Sequence, residues 1–432
     1  MLLDKLLTYE RHTSSGTYLE GVTGLRAVAA LWVLMFHSWG ISHGPPVQIP
    51  LPLDAHLGVT YLFSAGGLGV DIFFVISGFL LSLPWIQARP ARETLKQIPK
   101  FYGRRLLRII PAYYAVIFFL LYAFLLGMEP YPSTWHVFVQ VFMLNGLLDV
   151  LNIDSYLMNL VFWTLHAEIA FYVFLPFIAL AAHRIGWKTV IIAMIAFSVV
   201  FRWWLFDRFH ATDFFKMHFL YSMPGCLGQF AIGIACACLF ARDKTIQNTT
   251  CRMPRRILLP AGWSFWLGIA ILLVIARVLD LRGDMLAKGD LFYTISPLIS
   301  AAGAAAIIIG VIRQSRTAIR ALANPVMIFL GTISYSMYVW HLILLGVVNK
   351  SGILEPFVGI DRLLRTVIFA FPLILLVSYG SYWWVERPFL KIRHHAPEIR
   401  GAFTTKHAIW LLAGCGAAMT ALAALTNWAL RP

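Results

Sequence analysis

Apolar runs long enough to cross a bilayer recur along the chain from Gly24 to Leu430, separated by short polar connectors. About 20 apolar residues carry a helix across a hydrocarbon core roughly 30 Å thick. By that measure spans fall near 24–41, 59–83, 111–127, 160–182, 189–206, 217–241, 258–279, 292–314, 325–348, 363–385 and 407–430. A further apolar stretch, about 135–152, is harder to place. No soluble domain lies between the runs. The pattern predicts an all-α, polytopic membrane helix bundle.

Connector charge orients the bundle. The 84–110 connector carries Arg89, Arg92, Lys96, Lys100, Arg104, Arg105 and Arg108 against Glu93 alone, which assigns it to the cytoplasm. The 42–57 connector has only Asp54 and falls outside. If 135–152 crossed fully, the connector with Arg242, Lys244, Arg252, Arg255 and Arg256 would face outside, as would Arg313, Arg316 and Arg320. If it dips in and returns, or lies along the interface, every strongly basic connector is cytoplasmic, including Arg387, Lys391, Arg393 and Arg400. Charge therefore predicts about eleven spans: a ten-span core plus one C-terminal span, with the amino end cytoplasmic and the carboxyl end outside.

Residues 1–22 form a cytoplasmic segment, 23–395 the membrane domain, and 396–432 a connector with the additional helix. Asp4, Lys5, Glu10, Arg11 and Glu20 make the amino end too mixed for a cleavable signal, so the first span is expected to stay as an anchor. No internal repeat or low-complexity tract breaks the domain.

Composition agrees. Of 432 residues 59% are hydrophobic and 13% charged, with a mean hydropathy of +0.74. A soluble domain could not hide that much apolar surface. The net charge of +15 does not point to nucleic acid, because the Lys and Arg residues sit in the connectors. Membrane lipid, or a phosphorylated small molecule, suits them better. The five cysteines show no metal-ligand spacing and read as packing thiols.

Polar residues deep in the spans are costly and mark candidate chemistry. In GLRAVAALWVLMFHSWG, Arg26 and His37 are eleven residues apart, close to three helical turns, so both share a face. His37 then lies roughly 16 Å deeper than Arg26, near the midplane. An anionic donor held at Arg26 could reach a buried base at His37. The bland reading is a snorkelling Arg and a hydrogen-bonded histidine.

GLGVDIFFVISGFLLS places Asp71 and Ser77 among Gly67, Gly69 and Gly78. Glycines let helices approach closely. The Asp71 carboxylate needs a partner, which His37 or an Arg could supply. In LKQIPKFYGRRLLRIIPAYY, Arg105 and Arg108 share a helical face, and Pro111 is expected to open the next span. Guanidinium forks match phosphates, such as those of an acyl-CoA. Ordinary cytoplasmic charge explains their number but not their spacing.

FWTLHAEIAFYVFLP holds Glu168, with Thr164 and Tyr172 one turn to either side on its face. At similar depth, His37 is its expected partner, as a base with an orienting carboxylate. GTISYSMYVWHLILL, with Ser334, Tyr335, Tyr338 and His341, reads as an interfacial belt. In YWWVERPFLKIR, a local Glu386–Arg387 pair and a helix stop at Pro388 account for the segment.

These segments together resemble the acyltransferase 3 family of membrane O-acyltransferases, which modify bacterial surface polysaccharides, lipopolysaccharide and some antibiotics. The resemblance rests on Arg26 and His37, on GVDIFFVISGF, on RRLLRIIP from Arg104 to Pro111, on WTLHAEIAFY, SYSMYVWH and VERPF. It runs in order from about Gly21 to Arg393. Two features depart from it: Thr23 stands where many members carry an acidic residue, and a further span follows the ten-span core. In some relatives that helix leads into an extracytoplasmic hydrolase-like domain; with the chain ending at Pro432, transfer would be completed alone or with a separate partner.

The resemblance implies an O-acetyltransferase of the inner membrane. Its co-substrate would be acetyl-CoA or another acyl-CoA, with no permanently bound cofactor, and its acceptor a carbohydrate or glycolipid hydroxyl. Polysaccharide biosynthesis proteins are its expected company. Within it His37, Glu168 and Asp71 form the catalytic set, and Arg26, Arg105 and Arg108 hold the donor. His37 can serve as general base on the acceptor or take the acyl group itself. The lack of a separate base in the second scheme favours the first. An ion-coupled transporter, with Asp71 and Glu168 as coupling carboxylates, is the rival reading, though no paired inverted repeat supports it. A polysaccharide-export assembly protein is the third, and it would need no titratable groups at the midplane.

Overall fold

The computed structural model describes residues 17–50, 52, 56–87, 91–125, 132–145, 148, 157–208, 220, 222–247, 260–282 and 291–394. Within them nine helices are long and apolar enough to cross a membrane, ten if one bent pair counts as a single span. They meet the first ten predicted spans in order; the eleventh, 407–430, lies outside the described residues.

The helices are α1 (Thr17–Ile41), α2 (Tyr61–Ser64), α3 (Leu68–Gln87), α4 (Ala91–Leu125), α5 (Thr134–Val141), α6 (Phe162–Ile185), α7 (Trp187–Arg208) and α8 (Met223–Gln247). They continue as α9 (Ala261–Arg282), α10 (Leu291–Ile312), α11 (Arg316–Leu322), α12 (Pro325–Thr332), α13 (Ser334–Lys350) and α14 (Gly359–Gly380). A π-helical turn, Ser381–Glu386, then leads into α15 (Arg387–His394). Between α1 and α2 a short hairpin pairs β1 (Gln48–Pro50) with β2 (His56–Gly58) in antiparallel register, Ile49 opposite Leu57.

Glycines set the closest helix crossings. A Cβ at Gly78 of α3 would stand 2.2 Å from the Phe230 carbonyl oxygen of α8, and one at Gly233 would stand 2.2 Å from the Val75 oxygen. The two backbones therefore touch where neither carries a side chain. Gly69 meets the Ala29 oxygen of α1 in the same way at 2.5 Å, whereas Gly67 faces open space. Around the α3–α8 crossing, Phe230 stacks on Phe171 with ring centroids 4.0 Å apart and lies 4.8 Å from Phe74. Outward, α7 exposes Ile192, Phe197, Val200 and Trp203, an apolar face suited to lipid.

Two expectations change. Pro111 does not open a span: α4 runs unbroken through Pro99 and Pro111 for 35 residues. At 1.5 Å per residue that is about 50 Å, longer than the hydrocarbon core, so the basic stretch extends the same helix. In the 135–152 stretch the described residues end α5 at Val141 and turn at Phe142, in keeping with the expectation that this stretch does not cross in one piece. Pro388 does not stop its helix either. The π-helical turn shifts the hydrogen-bond register just before it, and the helix continues through Pro388 to His394.

The ninth predicted span is bent by 68° at Ile333. Asn324 caps its first limb through the Met327 N–H at 3.0 Å, with Pro325 at the first helical position. The second limb, α13, therefore begins inside the bundle rather than at its edge.

Candidate active site

Where α13 begins, the bundle encloses a chamber of about 120 Å³, about 810 Å³ when the space open at its mouth is counted. The smaller figure leaves room for on the order of ten waters, or an extended chain of similar width. Arg26 of α1 and Arg105 and Arg108 of α4 all line it, as do Glu168 of α6 and Tyr335 and Tyr338 of α13. The three predicted donor-binding arginines thus converge from two helices on one cavity.

Two carboxylates balance part of that charge. Ser77 of α3 donates to Glu168 Oε1 at 2.5 Å. Thr164 and Tyr172 share the chamber wall with Glu168, as the helical spacing predicts. Glu386, only 1% exposed, lies 3.7 Å through Oε2 from Arg108 Nη1 and accepts from Ser336 through Oε1. Arg26 is within its electrostatic reach. The expected Glu386–Arg387 pair is thereby replaced by one across the bundle, because the π-helical turn carries Glu386 inward; Arg387 instead stacks 3.8 Å from the Trp383 ring centroid.

Arg105 is the exception. Its guanidinium sits 5.8 Å from the ring centroids of both Phe101 and Tyr172, and its buried Nε meets no partner. Among the described residues it forms no ion pair or hydrogen bond. A cation held on aromatic faces beside a chamber, without a carboxylate, is ready for an anionic ligand.

His37 lies beyond the chamber wall. Its Nδ1 is 3.0 Å from the Val33 carbonyl oxygen and 3.0 Å from Nε2 of His341 on α13. The rings are 4.9 Å apart between centroids. Tyr338 and Phe73, which line the chamber, stand edge to face at 5.8 Å, and Tyr338 is 5.7 Å from His341. The Tyr338 hydroxyl is fixed by Thr164 at 2.8 Å and the Val161 carbonyl at 3.3 Å. Tyr338 thus borders both the cationic chamber and the imidazole pair.

The expected His37–Glu168 contact does not form: Ser77 takes the carboxylate and His341 takes the imidazole. Sequence reading missed His341, placing its helix in an interfacial belt. The available signal was its spacing: Tyr338 and His341 are three apart, and Ser334 and Tyr338 four, on one face of α13. The bend at Ile333 turns that face into the bundle.

Asp71 also stands apart. It accepts from Gln229 at 3.2 Å and from Ser300, with Arg202 in electrostatic reach, about a third of a turn round α3 from Ser77. Arg202 donates to the Tyr293 carbonyl at 2.9 Å. That carbonyl lacks its helical partner because Pro297, four residues on, has no N–H. The cluster repairs a broken helix backbone and ties α3, α7, α8 and α10 together. An Arg is near Asp71, as expected, but in a structural cluster rather than at the chamber.

An arginine-lined chamber and a buried imidazole pair thus lie together in one multi-pass helical bundle. The chain belongs to the acyltransferase 3 family, whose acyltransferase domain matches residues 19–385. It is 24% identical over 392 residues to Putative O-acetyltransferase SACOL0978 of Staphylococcus aureus, covering 87% of this chain and 58% of that one. O-acetyltransferase OatA of the same species is 25% identical over 431 residues, covering 92% of this chain and 62% of its own. Putative acetyltransferase ORF330 of Acidianus two-tailed virus is 26% identical over 351 residues, covering 80% and 89%. The chain therefore spans about 60% of the length of the staphylococcal relatives. No solved structure matches.

Proposed function

We propose that the chain transfers an acetyl group from cytoplasmic acetyl-CoA to a hydroxyl of a carbohydrate: a surface polysaccharide, lipopolysaccharide or glycolipid precursor at the inner membrane. The observation that carries this reading is the convergence of Arg26, Arg105 and Arg108 on one chamber beside the His37–His341 pair. The O-acetyltransferase activity named for the staphylococcal relatives supports acetyl as the group moved.

In this reading the arginines, at the cytoplasmic end, hold the phosphates of the donor, and its thioester arm extends through the chamber toward His37. His37 takes the proton of the acceptor hydroxyl as the oxygen attacks the thioester carbonyl carbon. The C–S bond then breaks, and the departing thiolate takes the proton from the imidazolium. Atoms and charge balance with acetyl ester and free thiol as products.

The deciding experiment mixes protein purified in lipid nanodiscs with acetyl-CoA and follows free thiol. Slow acetyl-CoA consumption, accelerated by an added glycan acceptor, is the expected result. Solute uptake into proteoliposomes without thiol release would replace the enzyme by a carrier.

Phe73 and Tyr338 give the proposal a specificity test. Both rings line the chamber and Tyr338 borders His341, so we take the pair as a partition on the way to His37 that favours a small transferred group. Phe73→Ala should raise turnover of butyryl-CoA about tenfold or more relative to acetyl-CoA, since a hydrophobic pocket discriminates roughly 10–200-fold per methylene. An unchanged preference in competition between the two thioesters would remove this partition from the path.

A further inference from the structure

The proposed chemistry requires that one nitrogen of His37 carry a lone pair, and the structure decides which. His341 Nδ1 is 2.7 Å from the Tyr338 carbonyl oxygen, which can only accept. Nδ1 therefore carries the hydrogen, and neutral His341 presents Nε2 as an acceptor. Facing it at 3.0 Å is His37 Nδ1, which is also 3.0 Å from the Val33 carbonyl oxygen. Two acceptors on one side of the ring place the His37 hydrogen on Nδ1. The reverse arrangement would charge His341, which is 1% exposed, and would set a His37 lone pair against a carbonyl oxygen. His37 Nε2 is left with its lone pair.

We infer that His341 is a positioning residue for the transfer reaction: it holds His37 in the Nδ1–H tautomer, turns Nε2 toward the substrates and accepts charge density from Nδ1–H when Nε2 is protonated. The role is the one a carboxylate plays beside other catalytic imidazoles, filled here by a neutral imidazole. The position suits it. His341 is not among the residues that line the chamber with the arginines, and Tyr338 supplies both part of the chamber wall and the carbonyl that fixes it. A charge-neutral partner also avoids burying a third carboxylate beside Glu168 and Glu386, where desolvation would be costly.

The inference rests on His37 as the base and is tested by two near-identical substitutions. His341→Gln puts a side-chain oxygen about where Nε2 stands; His341→Asn puts it where Nδ1 stands, out of reach of His37. The expected result is that His341→Gln keeps kcat within about threefold, while His341→Asn loses roughly 10–30-fold with KM for acetyl-CoA unchanged, the range typical of an outer partner that orients an imidazole. Carbethoxylation of His37 by diethyl pyrocarbonate, read by peptide mass spectrometry, should slow in His341→Asn and not in His341→Gln. Equal behaviour of the two variants in both assays would overturn the positioning role and leave His341 as packing. The labelling needs no turnover, so it reads His341 even if wild type proves unable to use acetyl-CoA. In that case the proposed activity fails and the tautomer assignment stands or falls separately.

Discussion

His37→Ala is expected to abolish acetyl transfer, with kcat at least about 10³-fold down, while the protein still inserts and binds acetyl-CoA nearly as wild type does. A positioned general base contributes roughly 10²–10⁴-fold, and among the described residues the titratable neighbour is His341, whose Nε2 lies 3.0 Å from His37 Nδ1, behind the ring rather than at Nε2, while Glu168 is engaged by Ser77. Binding should survive because His37 is not part of the chamber wall, where the cations lie. Stopped transfer reactions analysed by mass spectrometry separate the two forms of the chemistry. An acetylated peptide containing His37 in wild type would show the imidazole acting as nucleophile; its absence during turnover supports the base. Transfer by His37→Ala at the wild-type rate would remove the central assignment altogether.

The fold was largely legible because its strongest signal is length and apolarity, and a bilayer leaves few alternatives to helices. Apolar runs located ten spans, and helical periodicity placed Thr164, Glu168 and Tyr172 on one wall and Arg105 with Arg108 on another. What escaped was everything decided by backbone irregularity. The bend at Ile333 and the π-helical turn before Pro388 leave only weak marks in the sequence, yet the first brings Tyr338 and His341 into the bundle and the second aims Glu386 at Arg108. Partner choice was equally hidden. Depth along a helix suggested His37 with Glu168, but rotation about the helix axes gave each a different neighbour. Asp71 shows the complementary case: a buried carboxylate drew attention as chemistry, and it lies within electrostatic reach of Arg202, which meets the carbonyl that Pro297 orphans in α10. An intramembrane charge identifies a demand for a partner, and only the partner tells whether the demand is structural.

That distinction is sharpest among the arginines, where the second large effect is expected. Arg105→Ala should weaken acetyl-CoA binding by about 2–3 kcal/mol, roughly 30–150-fold in Kd, the scale of one lost charge-assisted contact in a shielded site. Arg105 is singled out because, among the described residues, its guanidinium lies on two aromatic rings and forms no ion pair, so removing it breaks no buried salt bridge and costs little stability. Arg108→Ala is a poor substitute as a probe: it would leave Glu386 buried beside Ser336 without its ion-pair partner, and the destabilisation, of order 3–5 kcal/mol for a broken buried pair, would mix with any loss of binding. Arg105→Lys distinguishes shape from charge. A planar fork gripping phosphate should be replaced only in part by a point charge, so an intermediate Kd is expected from titration calorimetry. If Arg105→Ala binds acetyl-CoA as wild type does, the donor does not use this chamber. His37 would then have to be supplied from another face of the bundle.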